Sequence, residues 1–441
     1  MCGNYYLMKI AILGGGLAGL TAAHQLSEKN DVFVYEAEAN LGGLASGFRG
    51  QDWEWTLERA YHHIFSSDKD IIQFLKEVGF DKITFSSPTT SSLYDKGEDY
   101  KVYAIDTPFE LLRFPLLSFI EKMRAGMALG ALKILPYLPY YEKHTTEELL
   151  RKWMGNKAYE TLFGQMFRKK FGKYAGNILA SFIWSRIHMR TKNLGYMQGG
   201  FQSMIDHVAE VCRKSNTHIV TSARITEIHK NPEGSFVLTI QSGGEIKEEL
   251  FDLVVSTLPS PILAEAAINI LSQPELERLR KLKYLSATTL IVEMEEKVFD
   301  KEYWVSLCTN KIPSLVFLQH TNFVDKSHYN NHNLLYIASY CESNDPLMSM
   351  NKEQMLEKYL PTIQKIMGKQ CNIYHTFVWR ARYAQPIFDK EFLENVPHFT
   401  TSDPRFFIAN LDMTYPYDRG TNYAVKLGND VAKLIQKRNI V

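Results

Sequence analysis

Gly14-Gly15-Gly16-Leu17-Ala18-Gly19 carries the spacing G-x-G-x-x-G, and Glu36 follows about twenty residues further on. The chemistry this pattern suits is the grip of a nucleotide diphosphate. Gly14 permits a tight turn, Gly16 lets the backbone close on a pyrophosphate, and Gly19 allows a helix to lie tight against the strand before it. That helix, opening at Leu17 and Ala18, offers unpaired N–H groups and the positive end of its dipole to the phosphates. Glu36 would accept from both ribose hydroxyls and repel a 2′-phosphate, which favours FAD or NAD over NADP. A glycine triplet alone could be a chance turn, so the flanking elements decide.

Those elements are legible. Lys9-Ile-Ala-Ile-Leu13 reads as a buried strand, 17–28 as a helix and Asp31-Val-Phe-Val-Tyr35 as a second buried strand, a βαβ opening. Beyond it, 70–192 reads as mainly helical, 201–214 and 352–367 as helices, and 218–220, 236–240 and 251–256 as strands. Further strands are expected at 288–293, 315–318, 334–339 and 406–409.

A chain of 441 residues, 45% apolar and 22% charged, is globular and long enough for two or three units. Its formal net charge of +1 supplies no global pull on nucleic acid, and no nucleic-acid partner is expected. Cys2, Cys212, Cys308, Cys341 and Cys371 lie far apart, which argues against zinc and against a disulfide framework, and a reducing cytoplasm is expected. Residues 1–7 show no basic stretch leading into an apolar run, so no secretory signal is expected, and Met8 could be the natural start. The most apolar long stretch, 111–141, is broken by Arg113, Glu121, Lys122, Arg124 and Lys133 before the ~20 residues that a membrane span needs. Within it Leu116, Leu117, Ile120, Met123, Met127, Ala131 and Leu135 recur at near-helical spacing and are expected to pack in a domain core. The other reading is an interfacial helix in peripheral contact with a membrane.

Glu36-Ala37-Glu-Ala-Asn-Leu-Gly42-Gly43-Leu44 places two glycines just beyond the acid, where no Cβ separates backbone from cofactor. With this block the chain resembles the flavin-dependent amine oxidase superfamily, which includes monoamine oxidase, protoporphyrinogen oxidase, phytoene desaturases and UDP-galactopyranose mutase. Gly199-Gly200-Phe-Gln-Ser-Met resembles that family's return to the FAD domain, and Asp252-Leu-Val-Val-Ser-Thr257-Leu-Pro259 its strand ending near the flavin. Phe406-Phe-Ile-Ala-Asn410 with Gly420-Thr421-Asn422-Tyr423-Ala424 and Gly428 resembles its carboxy-terminal flavin motif. Arg224 and Ile225 resemble the site where backbone groups hold the adenine.

Departures accompany the match. Leu44 stands where amine oxidases usually carry arginine, and Asn410-Leu411 precede Asp412, so the acid of the terminal motif comes one place late. Ser286-Ala-Thr-Thr-Leu-Ile offers no counterpart of the lysine that many amine oxidases hold near flavin N5. No cysteine lies in the terminal motif, so the resemblance implies FAD bound without a covalent link.

The implied fold is α/β with α+β insertions. A Rossmann-like FAD-binding domain is expected from 8–83, 196–262 and 399–441, and a discontinuous substrate domain from helices at 84–195 and an antiparallel or mixed sheet with helices at 263–398.

For chemistry, Tyr61-His62-His63-Ile-Phe65 resembles the mutase block in which a histidine lies beside the flavin. Adjacent histidines on a strand face opposite ways, so His63 is expected at the ring, with His62 counted among the cofactor contacts; two histidines alone lack a third metal ligand, and no metal is expected. Ser185-Arg186-Ile-His188-Met-Arg190 resembles the mutase segment whose arginine grips a diphosphate, and Arg190 is the candidate; the alternative is a solvated basic helix end. Tyr417 and Arg419, in the crowded run Tyr415-Pro-Tyr417-Asp-Arg419, are expected to line the pocket, although a simple tight loop would also account for Pro416 and Gly420.

Three functions compete. One is an FAD-dependent oxidoreductase of the amine oxidase and protoporphyrinogen oxidase type, taking a hydride from a small molecule. The second is a mutase-like flavoenzyme acting on a nucleotide sugar without net redox change. The third is a non-enzymatic, prenyl-partner-binding relative of the Rab escort type. The aromatic and apolar middle of the chain admits a lipid-linked substrate.

Overall fold

The computed structural model describes residues 7–438. The amino-terminal segment read above for a signal lies, through residue 6, outside the described residues.

Lys9–Leu13 (β1), Leu17–Leu26 (α1) and Asp31–Tyr35 (β2) form the opening unit, the helix ending at Leu26, two residues before the expected limit. Among the described residues a five-stranded parallel sheet runs in the order Thr217–Val220, β2, β1, Leu253–Ser256, Phe406–Ile408. Ile12 therefore sits between Val34 and Val255. All three are fully buried, as a parallel sheet covered on both faces demands. Against α1 lies the carboxy-terminal helix Thr421–Lys437, and a Cβ at Gly428 would stand 2.5 Å from the Ala18 carbonyl oxygen. Only glycine allows that approach.

An antiparallel three-stranded sheet, Ala223–Lys230, Phe236–Ser242 and Glu245–Phe251, covers the other side. Its first and third strands escape the sequence reading because their outward residues are charged, as at Glu227, Lys247 and Glu248.

The largest sheet has seven strands in the order Ile373–Pro386, Tyr284–Met294, Asn333–Cys341, Val316–Gln319, Glu302–Cys308, Thr89–Lys96, Asp99–Tyr103. The expectation of a mainly helical 70–192 holds for Lys69–Glu77 and from Pro108 onward, but not between them. Ile83–Ser86, Thr89–Lys96 and Asp99–Tyr103 are strands, and Thr89–Lys96 pairs in parallel with Glu302–Cys308, some two hundred residues away. Local periodicity carries no sign of such a partner.

Helices between Pro108 and Met189 form a separate layer with its own core, including Leu149, Phe171, Phe182 and Trp184. The expectation that Leu116, Ile120, Met123, Met127 and Leu135 pack in that core is also corrected: all five are exposed, and only Leu117 of the large residues in that series is buried. The helix Phe119–Ile134 instead turns Ala125, Ala128 and Leu132 inward. No helix of the described residues is long and apolar enough to cross a membrane.

Candidate functional site

The turn after β1 is built around the glycines. Gly14, at φ 106°, donates its N–H to the Tyr35 carbonyl at 2.8 Å, and a Cβ there would meet the Thr257 Oγ1 at 2.5 Å. Thr257 donates its own hydroxyl to the Leu13 carbonyl at 2.9 Å, which ties the strand Leu253–Ser256 to the turn. At Gly19 a Cβ would lie 2.0 Å from the Gly14 carbonyl oxygen, so α1 can close on the turn only through glycine. Gly16 differs. Its Cβ would meet nothing nearer than 4.0 Å, and it faces open space beside Gly42 and Gly43.

No side chain caps the amino end of α1 and no acid stands in its first turn, so the N–H groups at Leu17 and Ala18 are left for an anion. Glu36 reaches back to accept from the Gly15 N–H at 2.9 Å, and its other oxygen accepts from the Glu38 N–H at 2.9 Å. Exposed Ala37 follows it. The carboxylate is thereby fixed beside the turn. Ala223, next to Arg224 and Ile225, donates its N–H to the Glu36 carbonyl at 2.8 Å, which brings that strand to the same edge. Gly42 donates to the Gly15 carbonyl at 2.9 Å, and Gly42 and Gly43, at φ 114° and 56°, carry the chain past the turn to half-exposed Leu44.

Below this turn lies an acid that the sequence reading missed. Glu58 is fully buried and accepts from the Phe201 N–H at 2.8 Å and from the Tyr196 hydroxyl at 3.0 Å. Burial pushes its carboxyl up to about 7, against the hydrogen bonds from Phe201 and Tyr196. Between pH 4.5 and 7 the folded chain therefore holds a proton that the unfolded chain has lost, and stability falls as pH rises through that window. A Glu58→Gln variant should lose this slope. It should gain up to about 3 kcal/mol relative to wild type at pH 8 while gaining little at pH 4, read from denaturant midpoints. An equal wild-type-to-variant difference at both pH values would contradict it.

At the far end, Asn410 and Asp412 are fully buried. Asn410 donates to the Ser260 Oγ at 2.9 Å and to the Leu258 carbonyl at 3.2 Å, a bracing role. The Asp412 Oδ2 accepts from Ser260 at 2.6 Å and from the Tyr284 hydroxyl, whereas its buried Oδ1 has no protein partner. Burial pushes this carboxyl up to about 6. The helix that opens at Thr421, after extended Gly420, also lacks a side-chain cap. Asn422 turns from it to accept from the Ile71 N–H at 3.1 Å and to donate to Asp70 at 3.2 Å, and Ala424 donates its N–H to the Gly420 carbonyl.

The chemistry-bearing residues group unevenly. His62 and His63 precede the short strand Ile64–Phe65 rather than lying on a strand, which corrects the alternation argument, and the two rings pack on different neighbours. His62 bonds the Ala60 carbonyl at 2.7 Å and packs on Phe201, while His63 packs on Phe65, Tyr303 and Trp304 with Nδ1 3.4 Å from the Tyr303 hydroxyl. Burial, then the charges of His62, Arg190 and Arg186, push the His63 imidazole down to about 3. It is neutral at any physiological pH. Arg190, 47% exposed, pairs with Asp106 at 2.8 Å and donates to Thr90 at 3.2 Å.

A second group, which holds the expected Arg419 and Tyr417, gathers round Asp418, an acid the sequence reading did not single out. That carboxylate accepts from Lys170 at 3.2 Å, from Arg186, from Gln385 at 3.3 Å and from the Arg419 N–H at 3.0 Å. Arg419 donates onward to Gln385 at 2.6 Å and to the Tyr340 hydroxyl. Against burial, which pushes it up, Lys170, Arg186 and Arg419 hold the Asp418 carboxyl well below the usual carboxylate range, while burial pushes Lys170 down to about 7. Tyr417 stacks on Tyr423 at 4.7 Å beside this cluster and faces Trp184.

Together these give an uncapped helix end beside the anchored Glu36 carboxylate, and a buried Asp412 oxygen without a protein partner. A family model described as flavin containing amine oxidoreductase matches residues 17–435, and the chain belongs to that family. It is similar to the 15-cis-phytoene desaturase of Synechococcus elongatus, 26% identical over 33% of this chain, and the matched stretch spans only 33% of that desaturase's length. An uncharacterized protein of Methanocaldococcus jannaschii is 23% identical over 60% of this chain and 61% of its own length. Among solved structures, the putative protoporphyrinogen oxidase from Exiguobacterium sp. 255-15 superposes with a TM-score of 0.75 at 17% identity, covering 98% of this chain and 99% of the other. Reduced UDP-galactopyranose mutase gives 0.74 at 13% identity over 98% and 96%. Both superpositions show the fold, which is the α/β flavoprotein architecture.

Proposed function

We propose that this protein binds FAD without a covalent link and acts as an oxidoreductase that takes a hydride from a small molecule. The observation that carries the reading is the open amino end of α1, set between the Gly14 turn and the anchored Glu36 carboxylate. The free Asp412 Oδ1 supports it, because a buried acid oxygen without a partner suits a polar group of a bound molecule. Bound FAD would supply the hydride acceptor. The chain's own residues would hold and orient it: Leu17 and Ala18 at the pyrophosphate, Glu36 at the ribose, and the Thr421 helix end near the flavin.

On the substrate side, Lys170 and Arg419 bring more cationic donors than Asp418 alone balances, which favours a substrate bearing an anionic group. Neutral His63 would orient rather than transfer a proton. A His63→Asn variant is expected to lower turnover by about tenfold while leaving the shape of the pH profile between 6 and 9 unchanged. Loss of a titrating limb in that variant would contradict the assignment.

The mutase reading draws on His63 and on Arg190, but the Arg190 guanidinium is already paired with Asp106, which weighs for the oxidoreductase. The four free cysteines among the described residues suit a reducing cytoplasm. The experiment is anaerobic addition of candidate substrates to the purified protein. Bleaching of an oxidised flavin band without added reductant supports hydride transfer; turnover seen only after dithionite reduction supports the mutase.

A further inference from the structure

The helix Phe119–Ile134 is amphipathic in an inverted sense. Its inward residues are small, Ala125 and Ala128 with Leu132, whereas its large apolar side chains face out: Phe119 is 70% exposed, Ile120 72%, Met127 64% and Ile134 72%. At 3.6 residues per turn these four and Met123 fall within an arc of about 100°. The surface continues across neighbouring elements, through Phe109 and Leu112 on the helix Pro108–Arg113, then Leu116, and through Leu135 and Tyr137 after the long helix. A run of exposed apolar side chains of this kind marks an interaction site.

The charges around it identify that partner. Lys122 flanks one edge of the arc and Arg124 the other, while Arg113 stacks its guanidinium 4.0 Å from the Phe109 ring centroid; Lys133, on the Lys122 edge, is held instead by the carbonyls of Ile187, His188 and Arg190. The acids of the same stretch are engaged by protein partners, Glu121 by Lys157 as well as by its helix cap. Glu110 and Glu121 close capping boxes with Thr107 and Ser118, and Glu142 accepts from the Tyr415 hydroxyl at 3.0 Å. Large apolar side chains facing out inside a basic rim, with the acids engaged by protein partners, match an anionic bilayer surface: the side chains enter the acyl boundary and the cations meet the lipid phosphates.

We propose that this face docks the protein on the surface of an anionic lipid bilayer, with the helix Phe119–Ile134 lying in the interface. The inference is independent of the flavin reading, since none of these residues belongs to the nucleotide site.

The test is flotation of the full chain with vesicles of phosphatidylcholine and phosphatidylglycerol in equal parts, and with phosphatidylcholine alone. The wild type is expected to float with the mixed vesicles, and less with the neutral ones. A combined Phe119→Ser, Ile120→Ser, Met127→Ser and Ile134→Ser variant should bind at least about tenfold more weakly at an unchanged melting temperature. A second variant, Lys122→Gln with Arg124→Gln, keeps the apolar face and should lose the preference for anionic vesicles. Absence of flotation with either vesicle, undiminished binding by the serine variant, or a stable solution dimer that the serine substitutions dissolve would overturn the proposal, the last by showing that a second copy covers this face.

Discussion

Replacing Gly16 by valine is expected to yield a folded protein without flavin. The new side chain has room, since its Cβ would meet only the backbone of Gly42 and Gly43 at 4.0 Å, and losing a favoured helix-capping residue costs about 1 kcal/mol. It would nonetheless occupy the space through which the backbone of α1 meets a pyrophosphate. Flavin affinity should fall by at least about a hundredfold, equivalent to about 3 kcal/mol. Gly19→Val is the control with the opposite signature. Its Cβ would stand 2.0 Å from the Gly14 carbonyl oxygen, so helix and strand must part, at a cost of about 3 kcal/mol in stability. Flavin fluorescence after gel filtration and denaturant midpoints separate the two outcomes. Full flavin retention by Gly16→Val would remove the nucleotide from this turn.

The second large effect is expected at Asp418. Its carboxylate is the shared counter-ion of Lys170, Arg186 and Arg419, and two of those cations have little water of their own. Asp418→Asn keeps the shape and removes the charge. Breaking a buried pair in this way typically costs about 3–5 kcal/mol, because the remaining cations lose their compensation. Lys170, pushed down to about 7 by burial even with Asp418 present, should then shed its proton, so the loss is largest at acid pH and shrinks as pH rises. Urea midpoints for wild type and variant at pH 6 and pH 9 give the comparison. A pH-independent deficit would show that Lys170 does not carry it.

What could be read from the sequence follows from how far apart the interacting residues lie. The β1–α1–β2 unit is contiguous, its strands are apolar throughout and its glycines have steric causes, so the turn, Glu36 and the parallel sheet were legible. The Glu36 contact spans only 21 residues. Asp418 and Lys170 stand 248 positions apart, and nothing in either neighbourhood announces the other. Nothing in the neighbourhood of Glu58 in the sequence singles it out. Only the Phe201 N–H, brought by a helix 143 positions away, shows it to be buried. The helix Phe119–Ile134 is the instructive miss. Periodicity locates a stripe of large apolar residues but not the direction in which the fold turns it, and here the small residues took the core.

The most direct measurement is to denature the freshly purified protein with acid, remove the precipitate and identify what stays in solution. The account predicts one FAD per chain in the supernatant and none attached to the protein pellet. A supernatant without flavin, a flavin that stays with the pellet, or FMN in place of FAD would contradict a nucleotide diphosphate held non-covalently between the opening glycine turn and Glu36.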